Sequence, residues 1–402
     1  MTEQKTGFAR AHATEIIEPS THRIQPGCPY FGRCGGCQYQ HASYEHQLEI
    51  KREILRETLR RSAKLELATE IQVHPSPPWN YRNRSRLQVR TIPEFAIGYF
   101  QHASHELCPV EECPISSPLI NRGVTALWQS GRKGSVPAGV REVEFFANAD
   151  DTKLLIEVLC GTEARRAAVR TWVEDLRSVI TEVVGVVVFR DGERTRMEEK
   201  LLSSGEGYLN YQTQKASYRV SAGAFFQTNR HLIDELVRIV TQGQSGERAL
   251  DLYAGVGLFS TALASDIGHI VSVEMSQTSS ADLAYNRSSN GEVVRATTEQ
   301  YLARANHSGR FGKGAVLPHT SSRPDLAVAD PPRSGLGERV ARELATLGAP
   351  RVVYVSCDPA TLARDLVPLL AAGYRAEQVH LVDLFPQTFH LESVVHLVRE
   401  GN

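Results

Sequence analysis

No stretch of the 402-residue sequence stays apolar for the roughly 18 to 20 residues that a membrane helix needs. Met1-Thr2-Glu3-Gln4-Lys5 also lacks the apolar core of a secretory signal, so the expected location is the cytoplasm. A net charge of −1 excludes nucleic-acid binding through bulk basicity. Only local patches could hold phosphates: residues 51–61 carry five basic side chains against two acidic, and residues 81–90 carry four arginines and no acid. The cysteines are seven, an odd number that fits no closed disulfide framework, and they lack the second Cys-x2-Cys knuckle of a common zinc site. An apolar fraction of 41% and a charged fraction of 23% are those of an ordinary globular chain, long enough for two or three domains.

What is present begins with Cys28-Pro29-Tyr30-Phe31-Gly32-Arg33-Cys34-Gly35-Gly36-Cys37, after a polar lead-in over residues 1–27. Glycines inside the tighter pair let backbone close around an inorganic centre. A fourth thiolate is needed, and both Cys108 and Cys113 are candidates. Four thiolates can hold zinc or an iron–sulfur cluster, and a distant lone fourth ligand favours the cluster. The spacing is not the Cys-x3-Cys-x2-Cys of radical enzymes that cleave S-adenosylmethionine. Leu48, Ile50, Ile54, Leu55 and Leu59 recur at helical spacing, which predicts an amphipathic helix over residues 44–61 beside the cysteines. Residues 75–210 then alternate in short β-branched runs, an antiparallel pattern with helices near 118–129 and 165–180. Cys160 ends one of these runs and reads as a core residue.

The remainder, residues 211–402, alternates strands with helices. Arg248-Ala249-Leu250-Asp251-Leu252-Tyr253-Ala254-Gly255-Val256-Gly257 is a strand followed by a glycine turn, and the next strand ends at Glu274, 19 residues after Gly255. That is the pattern of a nucleoside site, with glycines admitting the ligand and an acid for the ribose hydroxyls. The third glycine of a dinucleotide fingerprint is missing, which favours S-adenosylmethionine over NAD. Asp330 and Cys357 end two further apolar strands, so Gly255, Glu274, Asp330 and Cys357 should converge on one sheet edge. Asp358-Pro359 is a helix start. Cys357 would sit just outside that helix N-terminus, where the dipole favours thiolate. The last strand should follow Glu392, with His390 or Glu392 at the rim.

Phe226-Gln227-Thr228-Asn229, Asp251-Leu252-Tyr253-Ala254-Gly255, Asp330-Pro331-Pro332-Arg333-Ser334-Gly335, Ser356-Cys357-Asp358-Pro359 and Phe385-Pro386-Gln387-Thr388-Phe389-His390-Leu391-Glu392, together with the cysteine array, give the chain its family likeness. From about Pro19 onward it resembles the RNA uracil-5 methyltransferases that use S-adenosylmethionine, in the branch carrying a [4Fe–4S] cluster. The resemblance implies an α/β fold: a Rossmann-like class I methyltransferase domain with a mixed, mostly parallel sheet over 211–402. Before it come a β-rich α+β domain over 75–210, which supplies the fourth cysteine ligand, and a small iron–sulfur region with its helix over 28–74. It implies Cys357 as nucleophile at uracil C6 and Glu392 as general base. Gln227, Tyr253, Gly255, Glu274 and Asp330 would line the cofactor site, and Cys28, Cys34, Cys37 and Cys113 would hold the cluster.

The chain departs from the family at Asp358, where Asn is usual, at Leu258 in the glycine turn and around Ala296-Thr297-Thr298. Residues 1–27 are also too short for the small RNA-binding barrel that begins most members. RNA would then be gripped by the first two regions, with Arg82, Arg84 and Arg86 as candidate contacts. The implied activity is 5-methyluridine formation in RNA by a monomer, with 23S ribosomal RNA favoured over transfer RNA. Two rivals are cytosine-5 methylation, which the absence of a Pro-Cys motif on the Asp330 strand disfavours, and a non-catalytic iron–sulfur RNA-binding protein.

Overall fold

Period-two burial explains the centre of the molecule. In the strand Leu326–Ala329, Leu326 and Val328 enter one apolar core while Ala327 and Ala329 enter another on the opposite face. Arg351–Ser356 repeats this, with Val353 and Val355 on the first face and Val352 and Tyr354 on the second. Strands covered on both sides have no polar face to show, which is why these segments read as continuous apolar runs.

The computed structural model describes residues 3–5, 7–10, 15–191, 199–307 and 323–399. Its larger sheet has eight strands in the order Gly291–Val294, Ile267–Val273, Gly246–Leu252, Leu326–Ala329, Arg351–Ser356, Glu392–Arg399, Tyr374–Val382 and Gln72–His74. The first five run parallel. Glu392–Arg399 is inserted antiparallel to both its neighbours, and Gln72–His74 adds a parallel edge. This is the expected mixed, mostly parallel α/β sheet.

The second sheet has seven strands in the order Glu199–Gly205, Val183–Arg190, Leu154–Cys160, Val140–Ala147, Arg84–Arg90, Ala96–Phe100 and Leu107–Pro109. It is antiparallel except where Leu154–Cys160 and Val183–Arg190 run parallel, joined through the helix Arg166–Val179. The helices expected near 118–129 and 165–180 occur as Pro118–Arg132 and Arg166–Val179. Cys160 is fully buried in this sheet's core. The two sheets share apolar packing: Phe146, Leu155 and Val187 from the smaller one and Leu326, Val328 and Val353 from the larger one belong to a single core, together with Tyr211, Tyr218 and Phe226 from the chain that connects them.

Two features differ from the sequence reading. The helix Tyr44–Ser62 does not rest its stripe on the cysteine region. Leu55 and Leu59 pack into the core of the eight-stranded sheet, and Gln72–His74 pairs with its last strand. Periodicity marks an apolar face without saying what covers it. Within the polar lead-in, Glu3–Lys5 pairs antiparallel with Phe8–Arg10, while residues 1–2, 6 and 11–14 lie outside the described residues.

The same helix carries a buried charge. Lys51 Nζ donates to Asp383 Oδ1 at 2.6 Å and to the Phe385 carbonyl at 2.9 Å, and both ionic side chains are wholly buried. Tyr44 Oη donates to Asp383 Oδ2 at 2.9 Å and accepts the Ser76 N–H at 2.9 Å. Removing one partner of such a pair strands the other without water. Lys51→Ala is therefore expected to cost about 3–5 kcal/mol, read as a lowered denaturant midpoint at unchanged m-value. A loss below about 1 kcal/mol would mean that Tyr44 alone satisfies Asp383.

Candidate active site and cysteine-lined cavity

The carboxyl ends of the parallel strands meet at a turn that ordinary backbone resists. Tyr253, Gly255 and Gly257 all have positive φ (59°, 56° and 95°), and the space beside Gly255, where a Cβ would point, is open. Across the turn, Glu274 ties it to the next strand: Oε2 accepts the Gly255 N–H at 2.9 Å and Oε1 accepts the Ser276 N–H at 2.6 Å. Gln227 Nε2 donates to Asp330 Oδ2 at 3.4 Å. Tyr253 is part-buried against the second core. Leu258 is itself a core residue, and Ala296 packs at the edge of the second core.

Asp251, quoted as part of a motif but given no role from sequence, belongs to this group. Its Oδ2 accepts the Ser260 N–H at 3.0 Å while its Oδ1 is buried without a partner. Burial pushes its carboxyl up to about 7, and burial together with Asp251 does the same to Asp330. Its signal was available: an acid two residues before a glycine turn, inside a strand with no other polar side chain after Arg248.

On the neighbouring strands the register is decisive. Ser356 pairs with Ser393, which brings Cys357 opposite Glu392 at the sheet edge. Asp358 caps the following helix as its sequence implied, its Oδ1 accepting the N–H groups of Ala360 (3.0 Å) and Thr361 (2.9 Å). The expected thiolate bias is not what results. Burial, then Glu392 and Asp330, push the Cys357 thiol up to about 11, against a smaller opposing pull from Arg333. The helix dipole loses because Asp358 already occupies its free N–H groups. Glu392 is only 4% exposed, and burial followed by Asp330 holds its carboxyl well above the usual range. Arg333 Nη2 lies 3.1 Å from His390 Nδ1. Burial, then Arg333, lower His390 to about 4, so it is a neutral imidazole at physiological pH. The sequence placed His390 or Glu392 at the rim without a role for His390, and it assigned none to Arg333, which acts on the thiol and contacts His390.

Cys28, Cys34, Cys37 and Cys113 line one cavity with Tyr99, Gln40 and Arg82, some way from this crevice along the chain. Cys108 is buried in the strand Leu107–Pro109 opposite Tyr99 and does not line the cavity. Asn121 fixes the Cys113 backbone, accepting its N–H at 2.9 Å and donating to its carbonyl at 3.0 Å. Gly35 is required where it stands, since a Cβ there would lie 2.9 Å from the Phe100 carbonyl oxygen. Burial drives the thiols of Cys34 and Cys37 up to about 11 and about 12. Among the described residues no group of three or more Cys, His, Asp or Glu is arranged to hold a single metal ion. Two lining donors, Arg82 Nε and Gln40 Nε2, are buried without acceptors. Four thiols and two unpartnered N–H groups around one space fit an anionic, sulfur-rich group larger than one ion.

Of the arginines considered as RNA contacts, Arg84 and Arg86 are occupied by protein partners. Arg84 is enclosed between Glu144 and Glu157, donating to Glu157 Oε1 at 2.9 Å and to the Ala224 carbonyl at 2.6 Å, and Arg86 pairs with Glu144 at 2.8 Å. Arg82 faces the cysteine cavity. Together they hold the smaller sheet and its neighbouring loops.

A mixed sheet with seven strands in one direction, one reversed, and a glycine turn at the carboxyl ends of the parallel strands is the fold of a class I methyltransferase. The family model of tRNA (uracil-5-)-methyltransferases matches residues 43–400, and the chain belongs to that family: it is an S-adenosylmethionine-dependent RNA methyltransferase. It is 34% identical to an uncharacterized RNA methyltransferase of Streptomyces coelicolor, over 98% of this chain and 83% of that one. A counterpart in Streptomyces avermitilis is 33% identical over 98% and 88%. Among solved structures, the Pyrococcus abyssi tRNA (uracil-54, C5)-methyltransferase in complex with S-adenosyl-L-homocysteine superposes with a TM-score of 0.73 at 22% identity, over 96% of this chain and 88% of that one. That likeness speaks to the fold.

Alkylation follows the thiolate, so Cys357 in the free protein should react slowly with iodoacetamide at pH 7 and faster as pH rises towards about 11. Glu392→Gln removes a raising charge and should shift that profile to lower pH. A profile already flat by pH 7 would contradict the environment described.

Proposed function

We propose that the protein forms 5-methyluridine in RNA through a covalent bond between Cys357 Sγ and uracil C6. The observation that carries this reading is the placement of the thiol opposite a buried carboxylate at the end of an antiparallel pair. C5 of uracil is too weak a nucleophile to take a methyl group directly. Addition of the Cys357 thiolate at C6 moves the ring electrons so that C5 carries the negative charge. S-adenosylmethionine, when bound, supplies the methyl group as an electrophilic sulfonium. Glu392, in its carboxylate form, takes the C5 proton; the C5–H electrons restore the C5=C6 double bond as the C6–S bond breaks, and Cys357 leaves as thiolate. The free protein's thiol is held neutral first by burial and then by Glu392 and Asp330, so a cationic ligand in the same crevice would favour its ionisation.

Gln227, Tyr253, Gly255, Glu274 and Asp330 are the proposed cofactor contacts, Glu274 with the ribose and the open face of Gly255 against the ligand. Cys28, Cys34, Cys37 and Cys113 would hold a [4Fe–4S] cluster, with Arg82 and Gln40 donating to it. The methyl transfer needs no electron, and the group's proposed part is structural. We take ribosomal RNA as the first substrate and transfer RNA, the substrate named for the archaeal neighbour, as the alternative. Reaching a uridine in folded RNA requires the base to be turned out of its stack into the crevice.

Labelled methyl transfer by anaerobically purified protein onto unmodified total RNA, with nucleoside mass analysis, tests this. Parent protein should yield 5-methyluridine and Cys357→Ala none; the labelled RNA fraction identifies the substrate. Glu392→Gln should slow release about 10²–10⁴-fold while a protein–RNA adduct accumulates. Methylated cytidine, or no methylated nucleoside from cofactor-loaded protein, would sink the proposal.

A further inference from the structure

Residues 383–391 lead the chain from the strand Tyr374–Val382 into Glu392, yet their conformation is imposed from elsewhere. Gln387 has a φ of 68°, a left-handed backbone that a residue with a side chain keeps only where its surroundings enforce it. Those surroundings are the cysteine segment. The Gln387 carbonyl accepts the N–H groups of Gln38 (3.0 Å) and Tyr39 (2.9 Å). Its own N–H donates to Gln47 Oε1 at 3.0 Å, and Gln47 Nε2 donates back to Gln387 Oε1 at 3.0 Å. Gln38, next to Cys37, reaches in both directions: Nε2 donates to the Gly35 carbonyl at 2.7 Å inside the Cys34–Cys37 turn, and Oε1 accepts the Phe389 N–H at 3.4 Å. Phe389 packs on His390 at a ring separation of 4.4 Å, and His390 meets Arg333 beside Cys357.

We propose that Gln38 and Gln387 are positioning residues that lock residues 385–392 onto the cysteine turn, so that order in that turn sets the placement of His390 and Glu392 against Cys357. The inference rests on the function proposed above. It distinguishes the two halves of that chemistry. The strand that ends before Cys357 is paired on both sides, with Leu326–Ala329 and with Glu392–Arg399, and the Asp358 cap follows it. Glu392 begins its strand directly after the locked residues. Loosening the lock therefore disturbs removal of the C5 proton more than addition of the thiol.

RNA carrying 5-fluorouridine separates the steps, because fluorine at C5 cannot leave as a proton and the enzyme stops as a methylated covalent adduct. Gln38→Ala should form that adduct within about threefold of the parent rate, with 5-methyluridine release from ordinary RNA slowed about 10- to 100-fold and KM little changed. Hydrogen–deuterium exchange of the unliganded protein gives a readout without turnover. In Gln38→Ala, and in parent protein stripped of iron by oxidation and chelation, the amides of residues 387–390 should exchange faster while those of 352–356 keep their protection. Equal losses in adduct formation and release, or unchanged exchange at 387–390, would overturn the proposal. Parent protein that forms no adduct would overturn the function instead, leaving the exchange experiment to decide the lock.

Discussion

Everything at the catalytic edge depends on one antiparallel insertion. Glu392–Arg399 enters between Arg351–Ser356 and Tyr374–Val382, and because it runs against its neighbours its first residue lies where the parallel strands end. A parallel strand in that slot would present its last residue there and carry Glu392 to the opposite edge. The reversed direction thus makes a carboxylate from the end of the chain a neighbour of Cys357, and the apolar side chains Val394 and Val395, one in each core, fix the register.

The electrostatics of the crevice follow from crowding acids where little water reaches. Asp251, Asp330 and Glu392 are all raised by burial, and each further by an acid nearby: Asp251 by Glu274, Asp330 by Asp251 and Glu392 by Asp330. A site with this bias is poorly suited to hold a free anion and well suited to a cation. A sulfonium cofactor meets that requirement, and in the proposed reaction its positive charge would favour ionisation of Cys357.

The cysteine segment is integrated with the methyltransferase core rather than appended to it. Helix Tyr44–Ser62 contributes Leu55 and Leu59 to that core, Lys51 neutralises Asp383 inside it, and the residues around Cys37 bond the segment that precedes Glu392. Sequence could mark the thiols and the amphipathic stripe. It could not reveal that residues next to both are bonded to the far end of the chain, because contacts such as Gln38 with Phe389 and Lys51 with Asp383 join residues that no local pattern relates.

Local chemistry was legible where one residue type has one use: the Asp358 cap, the glycine turn before Glu274, the apolar strands with functional residues at their carboxyl ends, and the grouping of Cys28, Cys34 and Cys37. The structure distinguished Cys113 from Cys108 as the cavity-lining thiol, enclosed Arg84 in acids and reversed the expected ionisation bias at Cys357. Each of these turns on what lies across space from a side chain. Spacing along a chain determines which face and which strand end a residue occupies; burial and opposing charge, which set its protonation and partners, exist only once distant segments are packed together.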